Sequence, residues 1–162
     1  MLPRSPRFRA AGPAARLSRV MAIAIAATLS PIAVPARAAE PGISVGAPWF
    51  RLIIASRPAA GYAEIGNDGA QPRTLVGAKS PGCGTLLLHR SVSRGGVEQM
   101  DMVDSIAIPA HGHIAFAPGG YHLMCMSPSP SLKPGGSVPV TLSFADGRSV
   151  TAAFAIRNAL GK

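Results

Sequence analysis

The sequence predicts an all-β fold, either an antiparallel β-sandwich or a barrel. Glycine and proline account for 18 and 16 of the 162 residues and are spread along the whole chain. After residue 38, no apolar stripe at helical spacing is longer than two turns. Short apolar or alternating runs instead alternate with turn signals at close spacing, a pattern typical of sandwiches and barrels.

Ten short runs, each bounded by turn residues, are the predicted strands. They are Ile43–Val45, Trp49–Ile54, Gly61–Asn67, Thr74–Lys79, Thr85–Ser91, Glu98–Val103, Ile114–Ala117, Gly120–Met126, Val138–Phe144 and Ser149–Ile156. Pairs or clusters of Gly, Pro, Asn and Asp separate most of them, as in Asn67-Asp68-Gly69, Gly95-Gly96 and Asp146-Gly147. Such residues permit the backbone angles that tight turns require.

The first 38 residues have the pattern of a cleaved secretory signal peptide. Arginines at positions 4, 7, 9, 16 and 19 precede a largely apolar stretch of 14 residues from Met21 to Val34. Ala36-Arg37-Ala38 fits a small-x-small cleavage site. The stretch is shorter than the roughly 18 apolar residues of a spanning helix. We therefore expect residues 39–162 to be a single exported domain that is not inserted in a membrane after cleavage; an uncleaved anchor is the alternative.

The charge pattern of the remaining domain argues against two classes of partner. Residues 1–38 contain six arginines and no acid, so their removal lowers the net charge from +9 to +3. The other Lys and Arg residues are scattered, without a run and without interleaved aromatic residues. This distribution predicts no nucleic-acid partner and no binding to an anionic membrane. The 124 residues suffice for one domain with its own core, which we expect to be a monomer.

Cys83 and Cys125 are the only cysteines of the chain. An exported protein resides where dithiols tend to be oxidised, so we expect a disulfide between them. Neither belongs to a Cys-x-x-Cys motif, which argues against a catalytic dithiol. Two separately buried free thiols are the alternative.

Histidine and methionine are concentrated in one part of the chain. All eight that follow residue 38 lie between His89 and Met126. Four of them stand in the order His89, ten residues, Met100, 21 residues, His122, one residue, Met124. Imidazole nitrogen and thioether sulfur both bind soft metals, so this spacing indicates a metal site.

Strand periodicity predicts how these side chains are presented. Side chains alternate between the two faces of a strand, so His122, Met124 and Met126 share one face of their strand. Tyr121, Leu123 and Cys125 share the other face, which we expect to be the core face. The imidazole of His122 is then expected at the rim of the sheet.

The second half of the site is predicted on a hairpin with Gly95-Gly96 as its two-residue turn. That register sets His89 opposite Met102, with Met100 one diagonal step away. A longer loop would shift the register and place Met100 directly opposite His89 instead.

The donor set indicates one Cu(I) ion per chain, with His89, Met100, His122 and Met124 as ligands and Met102 and Met126 as helpers. Zinc sites use Cys, His and carboxylate rather than Met, and the sequence has no cluster of acids suited to a harder ion. His111 and His113 are expected in a turn and at a strand entry, although a His-x-His pair can hold Cu(II).

Catalytic motifs are missing from the sequence, so we expect no enzyme. There is no Gly-x-Ser-x-Gly, His-Glu-x-x-His or phosphate-binding loop. A blue-copper centre normally has a histidine after its cysteine, and no histidine follows Cys125. Two alternatives stay open: an exported immunoglobulin-like interaction domain with incidental His and Met residues, and a copper-dependent redox enzyme.

The His and Met spacing, with Pro118-Gly119-Gly120-Tyr121-His122-Leu123-Met124, resembles the motif of periplasmic copper chaperones of the PCuAC type. The likeness extends over about residues 43–156. Trp49-Phe50-Arg51 is similar to the family's early tryptophan strand, and segments 61–67 and 138–142 are similar to its second and late strands. Cys83 and Cys125 depart from the pattern, because many relatives have no cysteine there.

The resemblance implies a cupredoxin-like β-sandwich of the immunoglobulin-like kind in the periplasm. It implies one Cu(I) at an exposed site formed by His89, Met100, His122 and Met124. The copper is then expected to pass to the binuclear centre of cytochrome c oxidase subunit II, sometimes alongside a Sco-type thiol protein. The alternative hypothesis for a copper-binding protein is storage or resistance without a delivery role.

Overall fold

A computed structural model describes residues 42–162, which form ten β-strands and no helix. The strands are β1 (Ile43–Arg51), β2 (Ala59–Asn67), β3 (Arg73–Lys79), β4 (Cys83–Arg94), β5 (Val97–Met102), β6 (Ile106–Ile108), β7 (Gly112–Phe116), β8 (Tyr121–Pro128), β9 (Ser137–Phe144) and β10 (Ser149–Arg157). The predicted signal peptide lies outside the described residues. Within residues 42–162, no helix has the length and hydropathy of a membrane span.

The ten strands are hydrogen-bonded in the order β5-β4-β8-β7-β2-β1-β10-β9-β3-β6, and β8 also pairs with β2. The sheet folds over on itself, because β3 contacts β4 and β6 contacts both β2 and β7 although none of these pairs is adjacent in the sheet. The inner faces of the two halves thereby enclose one apolar core. The predicted all-β, sandwich-like fold is confirmed.

The core is built from alternate residues of the strands, as the period of two requires. The rings of Phe50 and Phe154 pack with their centroids 5.3 Å apart, and both side chains are fully buried. Gly61 allows β2 to pass close to this layer, because a Cβ atom there would meet the Phe50 ring at 2.6 Å and Leu123 Cβ at 3.1 Å. Leu123 therefore packs inward from β8, opposite Gly61 in the ladder.

Three features of the sheet differ from the expected strands. The first two predicted strands are one strand, β1, which continues through a bulge between Gly46 and Trp49 where Ala47 has a φ of 43°. The three-residue strand β6 was not predicted, because so short a run has no detectable period. Finally, β1 pairs with β10 in parallel, and so do β7 and β8 at one position, so the sheet is mixed rather than purely antiparallel.

The predicted disulfide is confirmed. Cys83 and Cys125 are bonded, with their Cα atoms 5.3 Å apart, and Cys125 is fully buried in the core. The bridge joins β4 to β8, the two strands that carry His89 and His122.

Candidate metal site

The hairpin of β4 and β5 has the predicted register. Gly95 and Gly96 form its two-residue turn with φ angles of 60° and 78°, left-handed values that glycine adopts without strain. Arg94 therefore pairs with Val97, and His89 pairs with Met102.

Strand β8 pairs with β4 on the side opposite β5 and brings the second histidine to the same face. His89 is paired with Met102 on β5 and with His122 on β8, so the three side chains lie side by side on one face of the sheet. Met100 is two residues from Met102 along β5, and Met124 is two residues from His122 along β8. The alternation of side chains places both methionines on that face as well.

The remaining neighbours on this face define how far each methionine lies from the histidine pair. Met100 is opposite Ser91, Met124 is opposite Leu87 and Met126 is opposite Thr85. We count one step as two residues along a strand, the spacing of side chains on one face. Met100 and Met124 are each one step from the row that contains His89 and His122, on opposite sides of it. Met126 is two steps away.

The expected position of His122 at the rim is wrong. Its side chain is only 3% exposed. The reason is topological: β8 pairs with β4 on one side and with β2 on the other, so His122 lies in the interior of the sheet. The core assignment of Leu123 and Cys125 is confirmed, since they are 1% and 0% exposed.

A backbone carbonyl fixes the orientation of the His122 ring. Its Nδ1 lies 3.1 Å from the carbonyl oxygen of Gly120. Because a carbonyl only accepts, Nδ1 carries the proton, and in the neutral ring Nε2 has a free lone pair. Nε2 is buried and has no hydrogen-bond partner. Metal-binding histidines commonly donate their second N–H to a carbonyl in this way.

The carbonyl of Gly120 has a role that was not predicted. It also accepts a hydrogen bond from the backbone N–H of Ser91 at 3.0 Å, which ties the turn before β8 to strand β4. The only sequence signal for this role is the Gly119-Gly120 turn immediately before the strand of His122.

His89 supplies a second nitrogen without a partner. Its Nδ1 is buried and makes no hydrogen bond. Its ring is edge-on to that of His122, with the centroids 5.7 Å apart. Burial lowers the pKa of His89, and the neighbouring imidazole of His122 lowers it further. Both effects favour the neutral form of His89, which is the form that binds metals.

The other donors near the histidines are thioethers. Met100 and Met102 are 61% and 64% exposed, whereas Met124 is half-buried. Residues 42–162 contain no group of three or more His, Cys, Asp and Glu side chains that could hold a metal ion. The face therefore presents imidazoles with thioethers, a neutral and soft donor set suited to Cu(I).

His111 and His113 lie away from the histidine pair, in the predicted turn and strand entry. His111 has a φ of 50°, and its backbone N–H donates to Gly69. His113, on β7, is exposed and has its Nε2 3.9 Å from a carboxylate oxygen of Glu64. Neither residue is a ladder neighbour of His89 or His122.

Comparisons with known proteins agree with this architecture. The family described as "Putative lipoprotein LpqE-like" matches residues 43–156. The "Putative lipoprotein Lxx21020" of Leifsonia xyli subsp. xyli (strain CTCB07) is 32% identical over 152 residues, which cover 90% of this chain and 91% of that protein.

Two copper-bound proteins are among the similar solved structures. The copper-bound PCuAC domain from PmoF2 has a TM-score of 0.60 at 24% identity, over 72% of this chain and 93% of that one. The solution structure of CuI-DR1885 from Deinococcus radiodurans has a TM-score of 0.56 at 32% identity, over 74% of this chain and 78% of that one. The resemblance to the PCuAC type is thus confirmed: the chain belongs to the LpqE-like family and has the fold of a PCuAC domain.

Proposed function

We propose that this protein is an exported carrier of Cu(I) that binds one ion per chain. The ligands are His89, Met100, His122 and Met124, with Met102 and Met126 as helpers. The buried and unpartnered Nε2 of His122 is the single observation that carries this proposal. Leaving such an atom without a partner costs about 1–3 kcal/mol, a cost that a bound metal ion removes.

The accessibility of the site supports transfer rather than catalysis. Within the donor set His122 is buried and His89 is half-buried, whereas the methionines of β5 are exposed. An acceptor can therefore replace the thioethers of Met100 and Met102 one at a time while the imidazoles still hold the ion. All the donors are neutral, so Cu(I) can leave without any ligand taking up a proton.

The compartment and the acceptor follow from the same proposal. Thioethers stay available as ligands where thiols are oxidised, and the disulfide of Cys83 and Cys125 suits such a compartment. Residues 1–38 act as the export signal, and the protein works in the periplasm. It delivers copper to subunit II of cytochrome c oxidase, alone or with a Sco-type protein, and acts as a monomer without enzymatic activity.

A complementation experiment tests delivery. A strain lacking this gene is grown under copper limitation with the wild-type protein, Met124→Leu or Met126→Leu, and the oxidase activity of its membranes is measured. We expect the Met124→Leu strain to lose oxidase activity and to recover it with added copper, because only the binding step is impaired. Met126→Leu is the matched control and should sustain near-normal activity.

Storage without delivery is the second candidate. It predicts normal oxidase activity in the copper-limited deletion strain, together with greater sensitivity of that strain to excess copper. This result would remove the delivery role and leave Cu(I) binding intact.

A further inference from the structure

Two arginines lie side by side on the sheet face that carries the candidate copper site. Arg51 on β1 and Arg157 on β10 are paired in the parallel ladder, so their side chains project from the same face. Both guanidinium groups lie against the ring of Trp49, at 5.4 Å and 4.9 Å from its centroid. Arg51 also lies 5.6 Å from the ring of Tyr62. We refer to Trp49, Arg51, Tyr62 and Arg157 as the arginine–tryptophan patch.

The positive charge of this patch is not neutralised within the described part of the chain. The ion pairs of residues 42–162 involve Arg73, Arg94, Arg148 and His113, and neither arginine of the patch. The Nε of Arg51 is also buried without a hydrogen-bond partner. Two like charges side by side on one sheet face repel each other, and an anionic partner would relieve this repulsion.

The patch is adjacent to the copper ligands. Ala60 on β2 is the ladder partner of Arg51 on one side and of Met124 on the other. Directly paired residues project from the same face, so one row across the sheet contains Met124, Ala60, Arg51 and Arg157. Neighbouring strands lie roughly 5 Å apart, which puts the backbone of Arg51 about 10 Å from that of Met124.

The surroundings of the patch favour an acidic partner. Glu64 lies two residues beyond Tyr62 on the same face of β2, but its carboxylate is turned to His113 at 3.9 Å. The loop that follows β1 adds another cation, Arg57, and two exposed apolar side chains, Ile53 and Ile54, which are 66% and 51% exposed. Each guanidinium group can donate two parallel hydrogen bonds to one carboxylate, and stacking on Trp49 keeps the planes of both groups ordered for this contact.

We propose that the arginine–tryptophan patch is the docking surface for an acidic segment of the protein that exchanges copper with this chain. The inference rests on the proposed copper-carrier function, since it assigns the patch to the partner in that exchange. Docking there brings the partner's own ligands to within one or two strands of Met124. Charge complementarity at such a surface raises the association rate and fixes the orientation of the partner.

A binding experiment on the copper-free protein tests the patch separately from the copper site. Trp49 is the only tryptophan of the chain, so its fluorescence reports on ligands at the patch. The probes are a synthetic peptide of six glutamates followed by Met-Gly-Met and a peptide in which glutamines replace the glutamates. We expect the glutamate peptide to change Trp49 fluorescence saturably at low salt, and the glutamine peptide to have no effect.

Matched variants identify the groups responsible. The double variant Arg51→Gln/Arg157→Gln should bind the glutamate peptide at least about tenfold more weakly, the loss expected for a charge-assisted contact. Lys79→Gln/Lys133→Gln removes the same net charge from exposed positions elsewhere, and it should change the affinity by less than about twofold. Arg51→Lys keeps the charge but loses the planar group, and it should give an intermediate affinity.

The outcomes separate this proposal from the copper-carrier function. Equal losses in the two double variants, or equal binding of the two peptides, would overturn the docking surface even if Cu(I) binds normally. Arginine-dependent binding to vesicles of phosphatidylglycerol without binding to the peptide would assign the patch to a membrane and overturn it also. Cu(I) stoichiometry is measured on the same samples. If it is near zero while the peptide still binds through Arg51 and Arg157, the carrier function fails and the assignment to a copper-exchange partner falls with it.

Discussion

The imidazoles of His89 and His122 stand directly opposite each other on β4 and β8, edge-on, with their centroids 5.7 Å apart. Each ring has one buried nitrogen without a hydrogen-bond partner. The carbonyl of Gly120 accepts a hydrogen bond from Nδ1–H of His122, so the lone pair of Nε2 is available to bind a metal ion. The pair therefore forms the fixed half of the proposed copper site, around which the methionines are arranged.

Replacing either histidine should greatly weaken Cu(I) binding. We expect His89→Asn and His122→Asn each to lower the affinity by about 100-fold or more, since loss of a ligand exceeds the 10- to 100-fold effect of losing a ligand's own hydrogen-bond partner. Competition with a Cu(I) chelator measures the change. His113→Asn is the control, because His113 is exposed and outside the site, and a comparable loss in that variant would contradict the assignment.

The two methionines of β8 should differ in importance. Met124 is half-buried and one step from the histidine row, whereas Met126 is two steps away and 38% exposed. Leucine preserves size and apolarity, so Met124→Leu should weaken Cu(I) binding by about tenfold or more while changing stability by less than about 1.5 kcal/mol. Met126→Leu should have a markedly smaller effect on binding. Equal losses in the two variants would break this ranking.

The two methionines of β5 offer a second comparison. Met102 is in line with the histidines, so the His89 side chain stands between it and the space near His122. Met100 is diagonal to His89 and can approach the ion from the side. We therefore expect Met100→Leu to weaken Cu(I) binding more than Met102→Leu, as determined by the same chelator competition. The reverse order would make Met102 the ligand and Met100 the helper.

The disulfide should stabilise the fold much more than it affects copper binding. Cys83 and Cys125 are 42 residues apart in the sequence. Closing a loop of that length reduces the entropy of the unfolded chain by an amount worth about 4 kcal/mol at 25 °C. Chemical denaturation of Cys83→Ala/Cys125→Ala should show a loss of roughly that size, with Cu(I) affinity within a few-fold of wild type. A loss of affinity as large as that of His122→Asn would mean that the bridge is required to position the histidines.

Much of the fold and of the candidate site could be predicted from local sequence patterns. The Gly95-Gly96 turn determines the β4–β5 register, and the period of two places His122 and Met124 on one face. The burial of His122 could not be predicted in this way, because it depends on β2 as the second neighbour of β8. Pairings between distant strands leave little trace in the sequence of either strand.

The arginine–tryptophan patch likewise could not be predicted from the sequence. Arg51 and Arg157 are 106 positions apart in the chain and appear as scattered charges in the sequence. Only the parallel pairing of β1 with β10 brings them together, and a chain read by composition and spacing gives no indication of that pairing. Charges that are scattered in the linear sequence thus come together as a pair in the folded sheet.

An anaerobic Cu(I) titration with a competing chelator, followed by X-ray absorption spectroscopy of the loaded protein, tests whether the histidines and methionines bind Cu(I). We expect one Cu(I) per chain, bound more tightly than Zn(II), with both sulfur and nitrogen among the nearest scatterers. Since Cys83 and Cys125 are bonded to each other, the sulfur signal should persist in Cys83→Ala/Cys125→Ala and decrease in Met124→Leu. A stoichiometry near zero, a preference for Zn(II), or a coordination shell of nitrogen and oxygen alone would contradict Cu(I) binding by these histidines and methionines.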